Sequence, residues 1–240
     1  NHNGTLDKYE GDAILAFFGA PVKYKEHAAQ ALNSGVDMFI NLEELKKRWK
    51  SQGDKWPAMV HDMNMRIGIN TGEMVTGNMG SEHHMNYTMM GDVVNLAARL
   101  ESGAKHYGIY FHTTYETLKQ AGIDQYEWRF IDRVTFKGLI KWHQTVEILG
   151  YKGKVKEQTL LLIDFFQKGI EEFHNRNWNI ALEHFEHSLK YEQIEHKKEL
   201  NPSMVYIKRI NKIIDNPPDK NWDGSFNLDM NLNTDDSDQD

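Results

Sequence analysis

The stretch Tyr87–Leu100, Tyr-Thr-Met-Met-Gly-Asp-Val-Val-Asn-Leu-Ala-Ala-Arg-Leu, limits what this chain can fold into more than any other. It reads as the end of a strand, a turn and a helix. Gly91 permits a tight turn and Asp92 is a good N-cap. Val93, Val94, Leu96, Ala97 and Leu100 give the helix a broad apolar face toward a core. Asn95 and Arg99 then stand one turn apart on one face, with Asn95 near the positive end of the helix dipole. An amide and a guanidinium stacked in this way suit a sugar-phosphate whose charge changes during reaction. As an isolated pair they would more often be two surface residues beside a core stripe.

A second stretch, Gly4 to Pro21, predicts two short strands, Thr5–Tyr9 and Ala13–Phe18, joined through Glu10-Gly11-Asp12. Taken alone, Asp12 is a solvated turn residue and Lys8 a solvated strand lysine. Together the two stretches resemble the class III nucleotidyl cyclases, the adenylyl and guanylyl cyclases, and the resemblance covers about residues 1–150. It implies that Thr88 and Lys8 read the purine, Asn95 holds the ribose and Arg99 stabilises the transition state. It also implies that Asp12 is one of two carboxylates for two divalent metals per site, Mg2+ or Mn2+. A lysine in the Phe136-Lys137-Gly138 loop would contact the triphosphate; Lys137 is the first choice and Lys141 the second.

The rest of the first 150 residues fits such a domain. Lys25–Trp49 predicts a long amphipathic helix, and Met63–Ile69 a half-buried strand that Asn70-Thr71-Gly72 turns back into Glu73–Asn78 as a hairpin. Ser81–Asn86 predicts a polar loop, and its adjacent His83 and His84 lack the further ligands of a metal site. A short strand at Ile109–His112, a short helix at Thr113–Ala121 and a strand pair, Tyr126–Val134 with Trp142–Leu149, follow. The order predicts an α+β domain with a mainly antiparallel, ferredoxin-like sheet and helices on one face. The resemblance implies one more strand before Asn1, carrying the other metal aspartate, so the chain reads as the later part of something longer and inactive alone.

Lys154–Asn216 has helical periodicity and no strand pattern. One stripe is Leu160, Leu161, Phe165, Gly169 and Phe173, and another is Trp178, Ala181, Leu182, Phe185 and Leu189. The pair resembles a single tetratricopeptide (TPR-like) unit, which cannot bury its own face and should pack on a neighbour or on the first domain. His184 and His187 sit on a solvated polar face, with no matching helix to complete a metal site. Pro202 opens a third helix, Ser203–Ile214. Residues 217–240 read as a Pro/Trp-containing tail that ends regular structure, with an acidic, disordered end carrying five Asp from Asp229.

Composition narrows the function. The net charge of −7 argues against nonspecific nucleic-acid binding, and the absence of cysteine removes disulfides and thiolate chemistry. No apolar run is long enough for a membrane span, so a cytoplasmic protein or the cytoplasmic end of an anchored parent is expected. The resemblance implies an adenylate cyclase acting on ATP as a homodimer with sites at the subunit interface. The alternatives are a guanylate cyclase on the same fold, or an inactive cyclase-like dimerisation module whose helical region binds a protein partner.

Overall fold

The computed structural model describes residues 2–81, 84–135, 141–192 and 200–227. In chain order the elements are β1 (Thr5–Glu10), β2 (Ala13–Phe17), α1 (His27–Ser51), α2 (Ala58–His61), β3 (Ile67–Ile69), β4 (Val75–Ser81), β5 (His84–Met90) and α3 (Asp92–Gly103). They continue with β6 (Phe111–Thr114), α4 (Tyr115–Ala121), β7 (Tyr126–Thr135), β8 (His143–Tyr151), α5 (Glu157–His174), α6 (Trp178–Leu189), α7 (Pro202–Asp215) and β9 (Phe226–Asn227).

The central sheet has five strands in the order β3-β6-β8-β7-β9, and β1-β2 and β4-β5 form separate hairpins. β8 runs antiparallel to β6 and β7, whereas β3–β6 and β7–β9 are parallel. The sheet is therefore mixed, a correction to the mainly antiparallel expectation. The hairpin expected from Met63 to Asn78 is also corrected. Of Met63–Ile69 only Ile67–Ile69 is a strand, and it does not pair with the strand that follows: β4 pairs with β5, Gly77 lying opposite Thr88. The segment between β3 and β6 holds a whole hairpin and α3, long enough for the crossover that a parallel pair needs. β5 also takes in much of the expected Ser81–Asn86 loop, from His84 onward.

Helices cover both faces of the sheet rather than one. Phe111, Val146 and Ile148 pack with Leu32 and Val36 of α1 and Leu118 of α4. The next side chain along β6, His112, points the other way and meets the Leu100 carbonyl of α3 at 2.9 Å. Burial without a counter-charge lowers the His112 pKa to about 4, so the neutral ring donates through Nδ1. On β3, Gly68 lets α3 approach closely: a Cβ there would overlap the backbone of Ala97 and Glu101.

The C-terminal helices belong to the same packed body. α5 and α6 form a hairpin, Gly169 lying against the Phe185 ring. Phe166, Phe173, Phe185 and Tyr206 are fully buried in one cluster with Phe130 of β7. At roughly 1.5–3 kcal/mol for each large side chain buried, this cluster outweighs any single ionic contact along the same boundary. Gly169 and Phe173 of the expected stripe are buried on α5, but at its start Leu162 and Phe166 are buried and Leu160 and Leu161 exposed, so the stripe is out of phase there. The run Leu-Leu-Leu-Ile is apolar all round, and periodicity cannot set its phase.

Polar contacts join the helices to β7. Arg129 lies between Glu147 of β8 at 2.7 Å and Glu192 at 2.8 Å. Asp132 accepts from Tyr107, 2.6 Å away, and from Arg209 of α7, also at 2.6 Å. Regular structure resumes after α7, contrary to the expectation of a plain tail: Trp222 packs on Phe173 and β9 joins β7. The expected acidic end from Asp229 lies outside the described residues.

Candidate functional site

The turn between β5 and α3 is built on Gly91, whose φ of 152° belongs to glycine territory. Gly91 caps α3, its carbonyl accepting from the Val94 amide at 3.1 Å. Asp92 is the first helical residue rather than the N-cap expected from sequence. A glycine carbonyl already serves the cap, and Asp92 instead places a carboxylate at the helix's positive end.

Leu96 and Leu100 bury one side of α3 against Ile131 and Val134 of β7. That orientation leaves Asn95 exposed and Arg99 half-buried, one turn apart. The first turn is tied down by Asn70, which donates to the Val93 carbonyl at 3.1 Å and accepts from the Thr114 hydroxyl at 3.1 Å. Val93 also fills the space above Gly72, where a Cβ would collide with it. Nothing in the sequence singled out Asn70 except its place beside Gly72.

The other expected residues lie on β1. The β1–β2 hairpin turns through Gly11 and Asp12, Gly11 having a φ of 63°. Asp12 is exposed at the tip. Phe17 of β2 packs on Tyr87 of β5, with ring centroids 6.0 Å apart, which brings the two hairpins together.

β1 carries a bulge. Leu6 pairs with Ala16 and Lys8 with Leu15, so Asp7 is the extra residue. The Asp7 side chain is only 2% exposed, and its Oδ2 accepts from the Thr88 hydroxyl at 2.8 Å. The Lys8 ammonium stands 3.8 Å from that same oxygen. Lys8 and Thr88, from separate hairpins, thus meet at one carboxylate oxygen. Sequence reasoning passed over Asp7, since regular alternation would send it to the opposite face from Lys8.

Asp12 sits at the tip of the β1–β2 hairpin and Asn95 and Arg99 on one face of α3, while Lys137 lies outside the described residues. Lys141 is exposed. Among the described residues no group of three or more His, Asp or Glu side chains is placed to hold a metal ion. Asp12 by itself does not provide the several oxygens that a hard divalent ion requires. Two surface concavities, of about 370 and 190 Å³, lie elsewhere, around Trp178 and Ile214 and around His174 and Trp222. Of the expected site residues that are described, Lys8, Asp12 and Asn95 are exposed and Thr88 and Arg99 half-buried. No helix among the described residues is long and apolar enough to cross a membrane.

Comparison with known proteins places this face in context. The family model for the adenylate and guanylate cyclase catalytic domain matches residues 6–156. The terminal-differentiation-specific adenylate cyclase of Dictyostelium discoideum is 29% identical over 209 residues, 86% of this chain and 9% of that protein. Adenylate cyclase 1 of Rhizobium meliloti is 35% identical over 107 residues, 45% of this chain and 15% of its own length. The chain therefore spans only a small part of these curated relatives. Among solved structures, the adenylyl cyclase CyaB from P. aeruginosa has a TM-score of 0.54 and 30% identity, over 65% of this chain and 76% of that one. The guanylyl cyclase Cya2 has a TM-score of 0.51 and 33% identity, over 65% of this chain and 74% of that one.

Proposed function

The chain belongs to the adenylate and guanylate cyclase catalytic-domain family, and from that premise we propose that it is the catalytic part of an adenylate cyclase. ATP is converted to 3′,5′-cyclic AMP and pyrophosphate. The ribose 3′-oxygen bonds to the α-phosphorus, the bond from that phosphorus to the bridging oxygen of the β-phosphate breaks, pyrophosphate leaves with the electron pair of that bond, and the 3′-hydroxyl proton passes to solvent.

The observation that carries the choice of ATP is the meeting of Lys8 and Thr88 at one oxygen of Asp7. Two side chains from separate hairpins form one patch with a donor and a hydroxyl side by side. Adenine presents an acceptor at N1 and a donor at N6, which a lysine and an accepting hydroxyl match. Asn95 orients the ribose and Arg99, one turn further along α3, neutralises charge developing on the α-phosphoryl group. Lys137 is the proposed triphosphate contact.

Cyclases of this class use divalent metals, read here as Mg2+ or Mn2+, two per site, with Asp12 as a ligand. Asp12 alone does not make such a site, so the described residues supply binding, orientation and charge rather than metal activation. A homodimer is proposed because Lys8, Asp12 and Asn95 are exposed in the single chain, where a second copy could complete the site around them. Residues 1–150 form the catalytic unit in this reading, and the TPR-like helices 154–216 offer a surface for a protein partner.

The test is turnover of ATP and GTP in competition by the intact protein, with the cyclic products identified. Cyclic AMP as the main product is expected. Mainly cyclic GMP would turn the assignment to a guanylate cyclase, and no product from either nucleotide would favour the inert dimerisation module. The same assay on residues 1–240 alone asks whether this chain contains every group the reaction needs; no product is expected from it.

A further inference from the structure

We propose that Asp7 sets the nucleotide preference by fixing the direction of the Thr88 hydroxyl; this rests on the reading of Lys8 and Thr88 as the base-reading pair. A threonine hydroxyl is both donor and acceptor, so by itself it suits the N6 amino group of adenine and the O6 carbonyl of guanine equally. A lysine ammonium only donates, and it can donate to adenine N1 or to guanine O6. Neither residue, taken alone, separates the two purines.

Asp7 removes the ambiguity. A carboxylate only accepts, so at 2.8 Å the single hydroxyl proton of Thr88 is committed to Asp7 Oδ2. What Thr88 then offers a ligand is lone pairs. Adenine can donate to them from N6, whereas guanine would bring its O6 lone pairs against those of Thr88. The Lys8 ammonium, 3.8 Å from the same Oδ2, compensates the buried charge without spending a hydrogen bond on it and keeps its donors for the ring.

Three features of the fold hold this arrangement. The bulge between Leu6 and Lys8 makes Asp7 the unpaired residue of β1 and re-aims its side chain. The side chain is nearly fully buried, so water does not compete for the Thr88 proton. The other oxygen, Oδ1, is buried without a hydrogen-bond partner among the described residues, so no second donor holds the carboxylate in place of Thr88. Asp7 is thus a positioning residue that acts through Thr88.

The experiment measures kcat/KM for ATP and for GTP in the intact enzyme carrying Asp7→Asn, Asp7→Ser, Asp7→Glu or Thr88→Val. Binding of 3′-deoxy-ATP and 3′-deoxy-GTP, which cannot cyclise, is measured beside it, so a variant that has lost turnover still yields a ratio. Asp7→Asn can donate its amide to Thr88 and release the hydroxyl proton toward the ligand. Its ATP-to-GTP ratio should fall by about tenfold or more, and that of Asp7→Ser should fall as well. Asp7→Glu keeps an acceptor and should retain most of the preference. In a Thr88→Val background, Asp7→Asn should change the ratio no further.

A ratio that falls in Thr88→Val but stays at wild type in Asp7→Asn and Asp7→Ser overturns the role of Asp7 and leaves the base-reading pair standing. A ratio unmoved in Thr88→Val removes Thr88 as a base reader, and the proposal with it. Loss of folded structure in all three Asp7 variants would assign the carboxylate to the stability of the hairpin and overturns the proposal too.

Discussion

Arg209, on the last helix, donates to the carboxylate of Asp132, on strand β7, at 2.6 Å, and Asp132 is 1% exposed. The pair joins the C-terminal helices to the central sheet. Removing one partner of a buried pair strands the other charge. Arg209→Leu is therefore expected to lower unfolding stability by roughly 3–5 kcal/mol. The Asp132→Asn, Arg209→Leu double variant should lose less than the sum of the single losses. Urea denaturation of the three variants checks this, and a loss below about 1 kcal/mol for Arg209→Leu would show that the contact contributes little.

Arg99 is predicted to act on the transition state. Arg99→Ala in the intact enzyme should reduce kcat by roughly 10²–10³ with a modest change in KM. Steady-state kinetics at saturating nucleotide decide the matter, and a kcat near wild type removes Arg99 from the chemistry.

Asp12 and Arg99 are predicted to serve one site from different subunits. Each single variant, Asp12→Ala or Arg99→Ala, should be nearly inactive. Mixed, they should recover activity, since each heterodimer would hold one site with both residues intact. No recovery, with heterodimers demonstrated, would show that the two residues do not act across an interface.

What the sequence made legible follows the range of the interactions. The Tyr87–Leu100 strand, turn and helix could be read because the period changes from two to 3.6 at a glycine. The helix expected from Thr113 begins at Tyr115, close by for the same local reason: the hydroxyl of its N-cap, Thr114, accepts from the Thr117 amide. The β3–β6 pairing left no local mark, since a parallel pair has no turn of its own, and Asn70-Thr71-Gly72 imitated a hairpin. Near its start strand β5 carries Met85 and Asn86, both exposed, so no hydrophobic alternation announced it. Lys8, Thr88, Asn95 and Arg99 were visible as motif positions. Asp7 was hidden by a single inserted residue in β1, which no propensity encodes.

His112 should leave a pH signature on stability. Its folded pKa of about 4 lies below the ordinary value of 6.5, because burial disfavours the charged ring. The unfolded chain therefore takes up this proton first as pH falls. The contribution is full above about pH 6.5 and is lost progressively toward pH 4, about 3 kcal/mol in all. His112→Asn, which keeps a donor for the Leu100 carbonyl, should lack that part of the slope. His174, also lowered to about 4 by burial and by nearby Arg133, supplies a residual slope in both proteins. Identical slopes between pH 4 and 6.5 would refute the assignment.

Gly68→Ala should destabilise the domain despite adding one methyl group. The new Cβ would run into the backbone of Ala97 and Glu101 on α3, and backbone cannot swing aside as a flexible side chain can. A loss of roughly 1–3 kcal/mol or more is expected, measured by chemical denaturation. Nucleotide affinity should weaken as well, because α3 carries Asn95 and Arg99.

The last two described strand residues have a consequence for handling the protein. Phe226 and Asn227 pair with Val134 and Thr135, and the Phe226 ring lies 3.8 Å beneath the Arg209 guanidinium. Without them the end of β7 would present an open ladder of donors and acceptors, the kind of edge on which chains stack into aggregates. A preparation clipped by protease before Trp222 would keep every proposed nucleotide contact and still be lost to precipitation. Yield and shelf life, rather than specific activity, would be the first properties to suffer.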